Sequence, residues 1–327
     1  MLRSISILIV SLCLLVSFVQ PYDVEQLPSP QCGNSKNPHW DQNTRSLYYV
    51  DVVASKSYLL RYDYDENRVY QATIDNATTL VFMLPIEGAP NHFLVGIDLK
   101  AVTVFWDGRS PKAVVNSTSV FEIDEDSSHR INVVKTDRFG RFYGGSSTMK
   151  SCATVTVETA AFYKYTKSTG LIKNFGDVLR SNGLTWNRSS NKFYYADSCD
   201  YNVVEFDWDP DTGNLTNGTE IFSLAEYDTK PGSVIDGITG DLDGNIYMAI
   251  YGDNQIIKLN PTTREVLLKI DMPMNQSVGV EFGGPNLDIL FVTTRYIDGK
   301  QPNGSGHLFK ITGLKTTGHA GVKVDLS

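Results

Sequence analysis

The feature that most constrains this chain is an internal repeat. Trp40, Tyr48, Tyr49 and Asp51 stand at the same spacing as Trp186, Tyr194, Tyr195 and Asp197. Each copy runs on through a polar turn to a second apolar run ending in an aromatic-Asp pair, Leu59 to Asp63 in one and Val203 to Asp207 in the other. Weaker copies fill the gaps: Phe93 to Gly96 leads to Val102 to Phe105, and Arg141 to Gly144 leads to Ala161 to Tyr165. Asn245 to Met248 leads to Gln255 to Leu259, and Ile289 to Val292 leads to His307 to Ile311. Two units share an entry turn, Asp137, Gly140 and Tyr143 matching Asp241, Gly244 and Tyr247, with glycine at the φ > 0 position and an aromatic opening the strand. Six units at a spacing of roughly 40 to 55 residues, built from short β-branched and aromatic runs, predict an all-β, six-bladed β-propeller with a central channel. Convincing helical periodicity is absent, and ring closure would remove the exposed sheet edges of an open array.

The 327 residues divide into an expected leader, 1–20, and one propeller domain, 21–327. Arg3 precedes an apolar stretch from Ile5 to Val19, followed by Pro21 and polar sequence, which is the order of a secretory signal peptide. The stretch is shorter than the roughly 20 residues a bilayer requires. Sequons begin at Asn76, Asn116, Asn187, Asn214, Asn217, Asn275 and Asn303, a density that fits a secreted, extracellular glycoprotein. Beyond Cys13 the chain keeps Cys32, Cys152 and Cys199, which allows at most one internal disulfide and leaves one thiol. The net charge of −8, with no basic run beyond the leader, disfavours nucleic acid and anionic membrane surfaces as partners. A monomer acting on a small molecule is expected.

In a propeller, the segments that open successive inner strands converge on the axis. Four such segments stand out: Cys32 to Trp40, with Pro38 two residues before the tryptophan; Arg130 to Asn132; Ser181 to Trp186; and Ile235 to Ile238. Together with Phe193 to Ser198, the Gly240-Asp241 pair, Phe282 to Gly284 and Phe309 to Leu314, they closely resemble the regucalcin, gluconolactonase and luciferin-regenerating enzyme family, from about Cys32 to Ile311. The resemblance implies one axial divalent cation, held by a Glu, two Asn and an Asp, and metal-assisted hydrolysis of sugar lactones. It places the ligands at Asn132, Asn182 and Asp236, makes Asp236 the catalytic general base as well, and gives Arg130 and Asn132 to substrate binding. Oxygen donors of this kind suit calcium first, with magnesium, manganese or zinc as alternatives.

One ligand departs from the family pattern. Its Glu belongs to a Gly-Glu-x-Pro-x-Trp element, and here the stretch from Gly33 to Pro38 is two residues longer. Counting forward from Gly33 puts Asn34 at the metal; counting back from Pro38 puts Lys36 there. Asn34 would weaken the metal by removing one negative charge, whereas a Lys36 ammonium would mimic and exclude it. Val133 and Val134 also follow Asn132 where the family has Asp-Gly. The sequence therefore supports a secreted metal-dependent lactonase, with a catalytically weakened binding or carrier protein as the alternative. His39 and His129 beside these segments are expected at the rim or in solvent, and Trp40, Trp186 and the Tyr-Tyr pairs in the core.

Overall fold

The computed structural model describes residues 22–52, 56–77, 79–117, 119–123, 128–148, 150–154, 159–299 and 304–327. The expected leader and the Asn303 sequon lie outside the described residues. After β1 (Asp23–Gln26) comes an antiparallel meander of β2 (Ser35–Asp41), β3 (Ser46–Asp51), β4 (Tyr58–Asp63) and β5 (Arg68–Ile74). A second comprises β6 (Leu80–Pro85), β7 (His92–Ile97), β8 (Lys100–Phe105) and β9 (Lys112–Val115), with β10 (Phe121–Glu122) also on β8. Parallel pairing of Thr73 with Lys112 and Ile74 with Ala113 fuses these two meanders at their outer edges.

The next three sheets are separate four-stranded meanders. They are β11 (His129–Thr136), β12 (Phe142–Thr148), β13 (Ala160–Thr166) and β14 (Gly170–Val178); β15 (Ser181–Asn187), β16 (Lys192–Asp197), β17 (Asn202–Trp208) and β18 (Leu215–Ser223); and β19 (Val234–Gly240), β20 (Ile246–Tyr251), β21 (Gln255–Asn260) and β22 (Glu265–Asp271). The last sheet has only β23 (Ser277–Gly283), β24 (Ile289–Thr294) and β25 (Phe309–Thr312) of its own, and β1 pairs with β25 to supply the fourth strand. N-terminal sequence thus closes the final sheet and covers an edge that would otherwise be open.

The innermost strands touch in a cycle: β2 with β6, β6 with β11, β11 with β15, β15 with β19, β19 with β23, and β23 with β2. The fold is an all-β propeller. No helix among the described residues is long and apolar enough to cross a membrane.

The repeat encodes this ring through the alternation of its strands. In β2 and β15 the tryptophans occupy equivalent registers, Trp40 opposite Leu47 and Trp186 opposite Phe193. Both are buried as expected: Trp40 stacks on Phe291 of the last sheet at 5.5 Å between centroids, and Trp186 meets Tyr143 of the neighbouring sheet edge-on at 5.2 Å. Each tryptophan therefore locks its own sheet to the preceding one. Losing such a ring costs roughly 3–5 kcal/mol. His39 and His129 depart from expectation, because both are buried. The strands that carry them run inside the ring, and His129 Nε2 bonds Thr159 Oγ1 at 2.7 Å.

Candidate functional site

Each innermost strand slips register once against its outer neighbour. The slips fall between Lys36 and His39 on β2, Leu80 and Phe82 on β6, Ile131 and Val133 on β11, Ser181 and Gly183 on β15, Ile235 and Ile238 on β19, and Ser277 and Gly279 on β23. A bulge bends the strand and re-aims one side chain. The residues left over are Asn37 and Pro38, Val81, Asn132, Asn182, Asp236 and Gly237, and Val278. Three of the sequence-predicted ligands are thus bulge residues aimed at the axis.

Three bulges are followed or completed by glycine, and space rather than dihedral angle demands it, since none has a positive φ. A Cβ on Gly183 would lie 2.9 Å from the Asp236 carbonyl oxygen, and one on Gly237 would lie 2.8 Å from that of Val278. One on Gly279 would lie 2.6 Å from Pro38 Cδ. Consecutive inner strands approach backbone to backbone, which brings Asn182, Asp236 and the Pro38 segment within side-chain reach of one another.

The point on which they converge is occupied by Lys36. Its Nζ donates to Asn182 Oδ1 at 2.8 Å and to Asn132 Oδ1 at 3.2 Å, and lies 3.5 Å from Asp236 Oδ1. All four side chains are buried. Asn132 Nδ2 in turn donates to Asn182 Oδ1 and to the Ser181 carbonyl, while Asn182 Nδ2 donates to Ser198 Oγ, which donates to the Ile235 carbonyl. The amide orientations are therefore fixed: both Oδ1 atoms face the ammonium. The alternative left open by the sequence goes to Lys36. Asn34 is not at the centre; it lines the cavity above, and its backbone N–H donates to Asp51 Oδ1 at 2.9 Å.

Asn37 is a residue the sequence reading passed over. Held at φ 52°, it donates through Nδ2 to the carbonyls of Val81 and Asn132, and its Oδ1 accepts from the Val134 N–H. It ties β2, β6 and β11 together beneath Lys36. Asparagine tolerates the left-handed backbone better than other residues with side chains, which is the local reason for it there.

Burial sets the electrostatics. It pushes the Asp236 carboxyl up, against the pull of Lys36, Arg180 and Arg295. It pushes the Lys36 ammonium down to about 8, with Asp236 opposing and Arg130 and Arg180 reinforcing. Each partner's charge thus favours the charged form of the other, against the burial that opposes both. Above them opens a cavity of about 510 Å³. Arg130, Arg180 and Arg295 line it, and so does Cys152, which is disulfide-bonded to Cys199. Arg130 is where the sequence expects it, and Arg180 stands in the same relation to Asn182 as Arg130 to Asn132. Cys32 is a buried free thiol, and burial raises its pKa, which disfavours the reactive thiolate.

Does this arrangement fit a divalent cation? Calcium takes six to eight oxygen ligands and magnesium about six. Among the described residues only three side-chain oxygens are seen to converge here, a single carboxylate oxygen among them, and an ammonium already sits against all three. Among the described residues no group of three or more His, Cys, Asp or Glu is placed to hold a metal. With Lys36 in this position the residues do not fit one, because its positive charge stands where the ion would need to be.

The fold and site can be set beside known proteins. Residues 35–296 match the family model described as SMP-30/Gluconolactonase/LRE-like region. Regucalcin of Homo sapiens is 31% identical over 298 residues, covering 89% of this chain and 93% of its own length. A solved luciferin-regenerating enzyme superposes with a TM-score of 0.85 at 28% identity, covering 93% of this chain and all of that one. A regucalcin from Agrobacterium tumefaciens, described as a calcium-binding protein, superposes with a TM-score of 0.78 at 17% identity, covering 91% of this chain and 95% of its own. Matched over four-fifths of its length, the chain belongs to the SMP-30/gluconolactonase/LRE-like family.

Proposed function

We propose that this protein is a secreted, six-bladed propeller that binds a small, oxygen-rich ligand of the sugar-lactone or sugar-acid class in its axial cavity, with the Lys36 ammonium in the role of a fixed cation. The observation that carries this reading is the position of Lys36 Nζ among Asn132, Asn182 and Asp236. An ammonium has three N–H donors, and these three partners engage all of them. None is left to polarise a ring carbonyl, so the lysine secures the floor of the cavity without acting as the Lewis acid that metal-assisted hydrolysis requires.

A second reading is hydrolysis of a lactone, with Asp236 as general base and Arg130 and Asn132 holding substrate. Family membership and the burial that raises the Asp236 pKa both favour it. Assays on glucono- and galactonolactone with added calcium, magnesium, manganese or zinc separate the two. The binding reading expects no turnover with any ion and no metal-dependent change in Tm, but a Tm rise with ligand. Turnover that depends on one of the ions overturns it in favour of hydrolysis.

The six-blade reading is supported by pairing β1 with the last sheet and by the shortness of the β5–β9 contact that joins the first two meanders. Residues 21–327 are then one domain, acting as a monomer after removal of the 1–20 leader. Secretion is supported by the Cys152–Cys199 disulfide and by the exposure of Asn76, Asn116, Asn214 and Asn217. Peptide mapping after glycosidase treatment of the protein purified from culture medium checks both.

A further inference from the structure

The charge on the cavity wall is opposite to that of the molecule. Against a chain net charge of −8, the lining carries Lys36, Arg130, Arg180 and Arg295, and, among the described residues, Asp236 as its one carboxylate. Asp236 is already within 3.5 Å of Lys36. None of the three guanidiniums has a carboxylate within ion-pair distance among the described residues. Arg180 donates to the Lys150 carbonyl, and Arg295 Nη1 donates to Tyr251 Oη at 3.3 Å, while its buried Nε has no hydrogen-bond partner there. The three are half-buried and close enough to disturb one another: burial first, then Arg180 and Arg295, bring Arg130 down to about 10. Gathering like charges in a partly desolvated space opposes folding, and an anion relieves that repulsion while accepting bidentate hydrogen bonds.

We propose that Arg130, Arg180 and Arg295 form a carboxylate-binding site, so that the preferred ligand is a monoanionic polyhydroxy acid rather than its neutral lactone. The site deepens the binding reading given above and rests on it. Asp236 is compensated by Lys36, so what favours a polyhydroxy carboxylate over inorganic phosphate is the polar wall available to its hydroxyls. Asn34, Ser147 and Thr148 on the wall supply donors and acceptors for hydroxyls. In the repeat, Arg130 and Arg180 precede Asn132 and Asn182 by the same step, so one structural device delivers two of the three guanidiniums.

Titration calorimetry with D-gluconate, the uncharged polyol sorbitol and inorganic phosphate, at low and high salt, tests this on the full protein. Gluconate is expected to bind at least tenfold more tightly than sorbitol or phosphate, with affinity falling as salt rises. Arg180→Gln and Arg295→Gln, each checked by its melting curve for folding, are expected to lose about tenfold for gluconate and little for sorbitol. Equal binding of gluconate and sorbitol overturns the carboxylate site but leaves the small-molecule reading standing. Tighter binding of phosphate overturns the assignment to carboxylates, and unchanged gluconate affinity in both folded variants overturns the role of these arginines. Binding of neither gluconate nor sorbitol overturns both readings.

Discussion

At the scale of single residues, Lys36 sets the charge at the point where Asn132, Asn182 and Asp236 converge. Restoring a carboxylate by Lys36→Glu removes the ammonium and gives a floor of two carboxylates and two amide oxygens. Calorimetry is expected to detect calcium binding in this variant and none in the wild type; an inert variant would show that geometry rather than charge excludes the ion. Lys36→Met leaves Asp236 buried without its partner and is expected to cost about 3 kcal/mol, read by denaturant titration. Adding Asp236→Asn removes the stranded charge, and the double variant is expected to regain most of that stability. Asn132, Asn182, Asp236 and Arg130 were legible in the sequence because their flanks carried the family pattern. The lysine was ambiguous because the family's Glu motif is stretched between Gly33 and Pro38. The internal repeat held the answer: Lys36 precedes Trp40 by the same step that Asn182 precedes Trp186, and the two tryptophans sit in matching registers.

At the scale of elements, the bulged inner strand is the unit that builds the site. Strand runs, entry turns and their repetition could be read from aromatic spacing and glycine placement, because both report on the chain's own local geometry. Bulges could not, since a register slip is a property of two strands. The pairs Asn182-Gly183 and Asp236-Gly237 look in sequence like tight turns, yet both lie within strands. Their glycines serve the close approach of neighbouring inner strands. Gly237→Ala would press a methyl against Val278 and Gly279 of β23 and is expected to cost about 2 kcal/mol, visible as a lower Tm. Gly170→Ala, where β14 begins at φ 69° with open space around it, would meet no neighbour but would hold a Cβ in the left-handed region, and is expected to be milder at about 1 kcal/mol.

At the scale of the molecule, the channel has two unlike ends. Arg130, Asn182 and Asp236 lie toward the start of their strands, beside the cavity; Lys135, Thr185, Thr239 and Glu281 lie toward the far end. There the C-terminal tail crosses from sheet to sheet: the Leu287 carbonyl accepts from the Gly318 N–H, the Thr317 carbonyl from Leu242, the Pro85 carbonyl from Val324 and the Gly140 carbonyl from Asp325. His39 is buried beneath the tail near Gly321, and burial brings its pKa down to about 4, with Lys135 and Lys323 reinforcing and Asp41 opposing. His319 in the tail is likewise lowered to about 4. Between pH 6.5 and 4 the unfolded chain binds more protons at these positions than the folded one, so stability falls as pH drops through that window. For His39 the full shift corresponds to about 3 kcal/mol. Thermal melts across this range are expected to show the decline, and His39→Gln to make it shallower.

The tail makes the two mouths of the channel unequal: His319 to Val322 line a cavity of about 40 Å³ at the far end, against about 510 Å³ on the Lys36 side. Ser327 lies exposed beyond the narrow end. Molecules anchored to a surface through that terminus would stand with their mouths facing the solution, each arginine-lined rim free to sample whatever passes.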